Sequence, residues 1–248
     1  MKKQNTIAGL IIAGLSLIAA PCAASVFIPN FSFEDHHIQD NNVSLPSGWV
    51  LDAPGSTGGG FINPNEAQFP GAGGDQGPLP APALGPQAGW LFSAGNSASI
   101  ATLTSVALGP AQPNTAYILT AAIGNSADPH DGDPQILRLR LLLGGSVVAE
   151  GFATGAAIPN GGFLNIQTSF LTGASVTGNL QVQLVHEQPA GLGNEFRYAF
   201  CDNVQLVPEP SMAALFCVGL FLVLLAHKFL GLTKRCSHAF PKRDRPLP

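Results

Sequence analysis

The sequence predicts an all-β fold, an antiparallel β-sandwich of jelly-roll type, and three observations carry that prediction. Between residues 26 and 207, apolar and polar residues alternate with a period of two. The pattern is plainest at Leu137, Leu139, Leu141 and Leu143, which share one face while Arg138 and Arg140 point the other way. Clusters of Gly, Pro, Asn and Asp interrupt the pattern at short intervals, and such residues set turns rather than continue an element. No window in this region repeats apolar residues at the three- and four-residue spacing of an amphipathic helix. With no helix to pack on a sheet, two sheets face to face are the way to bury the apolar sides of many short strands.

Taken in order, residues 1–25 open with Lys2 and Lys3, continue with an apolar stretch over 7–20 and end on Ala23, Ala24 and Ser25. This sequence of positive charge, apolar core and small-residue exit is that of a secretory signal peptide. The β-sandwich then occupies 26–207, a length that suits one domain with one core. Strands are predicted at 26–33, 89–93, 99–108, 116–123, 135–143, 146–152, 163–171, 179–186 and 196–206. In 163–171, Leu164, Ile166 and Phe170 stand opposite Asn165, Gln167 and Ser169. Residues 52–88 carry Gly58, Gly59 and Gly60, then Gly73 and Gly74, among seven prolines, and read as one long irregular loop. After the domain, 212–226 is uncharged and continues through Phe229, Leu230 and Leu232, so 212–232 approaches the ~20 residues of a transmembrane helix. Lys228, Lys234 and Arg235 follow, and 236–248 forms a basic tail that the positive-inside rule places in the cytoplasm.

Charge within 26–207 is lopsided: Arg138, Arg140 and Arg197 stand against thirteen Asp and Glu. Such a surface repels phosphate backbones, which argues against a nucleic-acid partner. Of the four cysteines, Cys22 falls in the signal segment, Cys217 in the predicted span and Cys236 in the tail. Cys201 is therefore alone in the domain, and a buried, inert thiol is expected.

Val207-Pro208-Glu209-Pro210-Ser211, followed by an apolar helix and a Lys/Arg cluster, resembles the PEP-C-terminal (PEP-CTERM) sorting signal of Gram-negative bacteria. That resemblance implies an exosortase-type protease as partner, with Pro208, Glu209, Pro210, Lys234 and Arg235 as the sorting signal. It also implies export across the inner membrane, a membrane-anchored precursor, and delivery to the cell surface or extracellular matrix of a bacterium that makes exopolysaccharide.

The domain carries a second resemblance. Asn30-Phe31-Ser32-Phe33-Glu34, Pro46-Ser47-Gly48-Trp49, the segment Pro113 to Thr120 and the segment Ala199 to Leu206 are similar to the opening, central and closing strands of galactose-binding-like, carbohydrate-binding-module-type jelly rolls. The resemblance implies that first and last strands lie side by side and that Glu34 and Asp202 join backbone carbonyls around one structural calcium ion. By simple alternation Asp202 shares a face with Phe200, Val204 and Leu206 and points inward. A buried carboxylate needs a partner, and calcium, which takes six to eight oxygens, is one. A bulge that turns Asp202 to solvent, or capping of backbone amides, is the alternative.

Trp49 and Trp90 are the candidate ligand-binding residues, and with Tyr117 and Tyr198 they offer rigid rings of the kind that stack on sugars. No nucleophile elbow, zincin helix, paired-cysteine motif or phosphate loop occurs. Glu34 with Asp35, or Glu187 with Glu195, are the carboxylate pairs that glycoside hydrolysis would need. The resulting expectation is a non-catalytic, exported surface or matrix protein that binds polysaccharide. A purely structural matrix protein and a glycan-active enzyme are the alternatives.

Overall fold

The computed structural model of the chain describes residues 26–35, 38, 42–71, 77–94, 97–127, 135–191, 196–209 and 223–224. Within them the strands are β1 (Val43–Ser44), β2 (Trp49–Asp52), β3 (Thr57–Ile62), β4 (Ala88–Ala94), β5 (Ser99–Ser105) and β6 (Ala116–Asn125), then β7 (Ile136–Leu143), β8 (Ser146–Thr154), β9 (Gly162–Leu171), β10 (Leu180–Gln188) and β11 (Phe196–Glu209). They form one six-stranded sheet in the order β1-β3-β4-β11-β6-β9 and one five-stranded sheet in the order β2-β5-β10-β7-β8. Each recorded strand pair is antiparallel. The all-β sandwich expected from the alternation is therefore what forms. The strands belong to a compact unit from Ala23 to Glu209.

Alternation explains the main core. Leu137, Leu139 and Leu141 of β7, Val182 and Leu184 of β10 and Leu103 of β5 meet Leu91, Leu119, Ala121, Ile123, Ala199 and Cys201 of the other sheet, all buried. Their outward neighbours Arg138 and Arg140 lie on the far side of the five-stranded sheet, bonded to Glu150 and Glu187.

A second apolar cluster covers the opposite side of the six-stranded sheet. Ile62, Ala88, Ala122, Phe163 and Phe200 project outward from their strands and are roofed by Phe69, Leu79 and Ala83 from the connection between β3 and β4. Phe69 stacks on Phe163 at 4.9 Å and meets Phe200 edge-on at 4.9 Å; such pairs add about 0.5–1.5 kcal/mol each beyond buried area.

Three local readings are corrected. Of 26–33, Val26 bridges to the last strand at Leu206 and the Phe31 carbonyl accepts from the Val204 amide at 2.9 Å, while the chain turns over 29–33. Residues 57–62, read as loop, form β3 in the middle of the connection. A Cβ at Gly58 would lie 2.1 Å from the Phe92 ring, and one at Gly60 would lie 2.3 Å from the Ser44 carbonyl, so these glycines permit close approach inside a sheet rather than looseness. Strands β1 and β2 were also unread; each is short. No helix among the described residues is long and apolar enough to cross a membrane. The predicted signal segment 1–25, the span 212–232 apart from the helical pair Val223 and Leu224, and the tail 236–248 lie outside the described residues.

One end of the interior is polar. Ser93 Oγ meets His186 Nδ1 at 3.1 Å, His186 Nε2 meets Gln135 Oε1 at 2.8 Å, and Gln135 Nε2 reaches Asn125 Oδ1 at 3.5 Å. The amide acceptor makes Nε2 the protonated nitrogen and leaves Nδ1 to accept from the serine hydroxyl. Burial pushes the His186 pKa down to about 4 from 6.5. Over that interval the unfolded chain binds a proton that the folded chain refuses, so this residue's contribution is present above pH 6.5 and lost as pH falls toward 4. Urea titrations across pH 7 to 4 should show wild type losing stability relative to His186→Gln; parallel pH profiles would refute a buried neutral imidazole.

Candidate active site

Cross-strand register lays out the outer side of the six-stranded sheet in rows. Gly58 of β3, Phe92 of β4 and Tyr198 of β11 form one row. Gly60, Trp90, Phe200, Gly124 and Phe163 form the next. Asp202, Ala122 and Asn165 stand in a third row with the same outward phase. The roof of Phe69, Leu79 and Ala83 covers the part around Phe163, Phe200 and Ala122, and Trp90 and Tyr198 pack against this cluster while they and Phe92 stay only partly buried. The Trp90 ring stacks on Phe92 at 4.9 Å and 14°, and Tyr198 lies 5.7 Å from Trp90 and 6.2 Å from Phe92. The open half is thus an aromatic shelf beside an apolar wall.

Asp202 stands on this side of the sheet in regular alternation with Phe200, and a β-bulge follows it. Between Asp202 and Gln205 the register with β6 shifts, and Asn203 takes a left-handed φ of 49°. Phe200 and Asp202 therefore face outward while Val204 and Leu206 fall into the main core. Simple alternation had placed all four on one face, and the extra residue is why it does not hold. The bulge does not deliver Asp202 to solvent: the connection before β4 buries it fully.

The Asp202 carboxylate accepts from the amide of Leu84 and, at 2.6 Å, from that of Asn203. Glu34 accepts from the amide of Gln87 at 2.8 Å. Gly85 sits between these anchors with φ 71°, and a Cβ there would lie 2.4 Å from Glu34 Oε1. The structure thus brings the two sequence-predicted carboxylates onto one short stretch of backbone. Burial pushes the Asp202 pKa up from 3.8 to about 8; the Glu34 charge adds to the rise, and the two amide hydrogen bonds oppose it. Gln87 completes the anchor, donating to the Phe33 carbonyl at 2.9 Å and accepting from the Ile38 amide at 2.6 Å. Cys201, next along β11, is free and buried, its thiol pushed up by burial and by Asp202.

The other candidates disperse. Trp49 is 7 % exposed in the main core, packs on Phe33 at 5.4 Å and donates its indole N–H to the Pro29 carbonyl at 3.0 Å, so it offers no face to a ligand. Tyr117 is buried, its hydroxyl accepting from the Gln112 amide at 2.8 Å. Trp90 alone of the two tryptophans stands on the shelf. Among the carboxylate pairs, Asp35 accepts from Ser47, Glu187 accepts from Arg138 at 2.9 Å, and Glu195 lies outside the described residues. No group of three His, Cys, Asp or Glu that could hold a metal occurs among the described residues. Phe92 and Gly58 were missed; their signal was Trp90-x-Phe92 beside Tyr198-x-Phe200, two aromatic pairs with the period of a strand.

An antiparallel sandwich with an aromatic shelf on one sheet is the class that fold and site define. The family model described as HpiC1 cyclase, HpiC1-like, matches residues 24–207, and the chain belongs to that family. A Stig cyclase from Fischerella sp. TAU, solved in complex with (3Z)-3-(1-methyl-2-pyrrolidinylidene)-3H-indole, is 25% identical over 76% of this chain and 99% of its own, with a TM-score of 0.58. The apo form of a cyclase from Fischerella sp. is 23% identical over 76% and 98%, with a TM-score of 0.58. A third structure, a Fischerella sp. TAU cyclase in complex with 4-(1H-indol-3-yl)butan-2-one, is 24% identical over 76% and 99%, TM-score 0.56. The last two show the shared fold. The curated proteins give no match.

Family membership overturns the expected assignment to exosortase-sorted, carbohydrate-binding surface proteins and the expectation of a non-catalytic matrix protein: the matching family is one of cyclases, which are enzymes. The structure supplies a physical reason at the sorting motif. Pro208 and Glu209 are the end of β11, paired with Tyr117 and Ala116, and Pro208 is buried. They are sheet rather than an open linker; Pro210, Lys234 and Arg235 lie outside the described residues.

Between pH 4 and 8 the folded chain holds a proton on Asp202 that the unfolded chain releases, so without a bound cation stability declines as pH rises through that window. In chelator, Asp202→Asn should flatten the decline of unfolding free energy between pH 5 and 8.5. An unchanged slope would mean that Asp202 is ionised in the folded protein.

Proposed function

We propose that this protein is a cyclase that holds a planar aromatic substrate of the indole class on the Trp90–Phe92–Tyr198 shelf and folds it for ring closure. Family membership is the observation that carries the reading; the partly buried aromatic cluster at the edge of the roof supports its placement. The indole compounds in the two liganded Fischerella structures indicate the chemical class. Offset stacking on Trp90 and Phe92 orients a flat ring system, and holding a flexible chain beside it removes conformations that cannot close. Aromatic faces also attract positive charge that develops on carbon during closure, by about 0.5–2 kcal/mol per well-placed ring. Ring closure within one molecule needs no nucleophile from the protein.

Glu34 and Asp202 fit a single calcium ion. The fit rests on two acidic groups converging with one of them fully buried, an arrangement that desolvation and mutual repulsion make costly without a cation. Backbone carbonyls would have to complete the six to eight oxygens that calcium takes. Bound there, the ion would supply neutralising charge to Glu34 and Asp202, which hold the backbone of Leu84 and Gln87. We read the chain as an exported protein as well, on Lys2, Lys3, the apolar stretch 7–20 and the small residues that follow.

Titration of purified protein with 4-(1H-indol-3-yl)butan-2-one, followed by isothermal titration calorimetry, tests the shelf. Saturable binding that Trp90→Ala weakens at least tenfold while Tyr117→Phe leaves it unchanged is expected; no saturable binding sinks the assignment of this face. Thermal unfolding tests the ion separately. Calcium should raise the melting temperature in a concentration-dependent way, and Asp202→Asn should abolish the rise.

A further inference from the structure

We propose that Gly58 is a positioning residue for catalysis: it provides the space into which the Phe92 ring lies down, and so sets the plane on which substrate stacks. The inference rests on reading the shelf as the substrate site. Its basis is the difference between three consecutive glycines. Gly60 has φ 151°, and a Cβ there would strike the backbone carbonyl of Ser44, so backbone geometry demands glycine. A Cβ at Gly59 would lie 2.7 Å from both the Trp90 carbonyl and Leu91, inside the sheet. Gly58 shows neither constraint. Its φ is not left-handed, and the near atoms around a Cβ there belong to one side chain, Phe92, at 2.1 Å from Cε1, 2.5 Å from Cζ and 3.0 Å from Cδ1.

Gly58 and Phe92 are cross-strand partners, so the ring folds sideways over β3 instead of standing off the sheet. Lying there, it stacks nearly parallel to Trp90 at 14° and stays within 6.2 Å of Tyr198. Any side chain at 58 must lift it. Phe92 lies on the outer side of the sheet and is only partly buried, so moving its ring does not empty the main core. The side chain at 58 thus decides between a flat shelf that takes a fused aromatic ring and a raised ring that blocks it. That is a specificity element built from an absent atom.

The experiment compares wild type, Gly58→Ala, Phe92→Ala and the double variant, by titration with 4-(1H-indol-3-yl)butan-2-one and by near-ultraviolet circular dichroism without ligand. Gly58→Ala is expected to weaken binding about tenfold and to diminish the aromatic dichroism, with a melting temperature within a few degrees of wild type. The double variant should bind no worse than Phe92→Ala, because both changes act through one ring. Undiminished affinity and dichroism in Gly58→Ala, or losses that multiply in the double variant, overturn the proposal. Should Gly58→Ala fold poorly, the double variant relieves the clash, and its equality with Phe92→Ala decides. Wild type that takes no probe instead removes the substrate reading of the shelf, a failure separate from the dichroism, which still reports whether Gly58 places Phe92.

Discussion

One extra residue in β11 organises the functional half of the molecule. The strand runs through the centre of the six-stranded sheet, between β4 and β6, and a strand in that position has neighbours on both sides that fix its phase. The register shift after Asp202 changes that phase in mid-strand. Before it, Ala199 and Cys201 feed the main core while Tyr198, Phe200 and Asp202 look outward; after it, Val204 and Leu206 feed the main core. Without the bulge, either the lower core would lose Val204 and Leu206 or the outer face would lose its acid and its rings. The left-handed Asn203 absorbs the change and returns a hydrogen bond to the Pro82 carbonyl at 3.3 Å.

The connection between β3 and β4 follows from that arrangement. Its described residues after β3 form turns and bends rather than strand or helix, so they are held by what they touch. Phe69, Leu79 and Ala83 bury themselves on outward-facing residues of the sheet, and the amides of Leu84 and Gln87 are taken up by Asp202 and Glu34. The Ala127 amide ties Gln68 to the end of β6 at 2.7 Å. A roof anchored at both its apolar and polar ends leaves a defined edge, and the shelf begins at that edge. Charge is concentrated under the roof and apolar surface beside it, the reverse of a hydrolase cleft with exposed acids.

Much of this was legible in the residues and part was not. The leucines of β7 and the alternation of β9 specified which faces are buried, because period two is a direct image of strand geometry. The convergence of Glu34 and Asp202 was legible through the opening and closing motifs. Parity misled at Asp202 because a bulge leaves no composition signal that separates Asn203 from any other polar residue in a strand. Strand β3 was illegible for a related reason: glycine is depleted in strands on average, and its presence at 58–60 is explained only by Phe92 and the Ser44 carbonyl, which are far away in sequence. Trp49 and Trp90 looked alike as residues; a hydrogen bond from one indole to Pro29 and a stack of the other on Phe92 tell them apart.

The catalytic character was invisible for a chemical reason. Motif searches find nucleophiles, general bases, metal ligands and phosphate loops, all groups that exchange protons, electrons or bonds with substrate. A reaction whose bonds form inside one substrate molecule asks the protein for shape and for a surface that tolerates positive charge, and aromatic side chains provide both. Those residues are common in cores, so nothing in their identity marks them. What sets them apart is incomplete burial: Phe163 and Phe200 are buried under the roof, whereas Trp90, Phe92 and Tyr198 at its edge are only partly so. Leaving three rings only partly buried forgoes about 25 cal/mol for each Å² of apolar surface left in water. An incompletely closed apolar layer next to a fully closed one is therefore the feature on which the proposed substrate shelf rests.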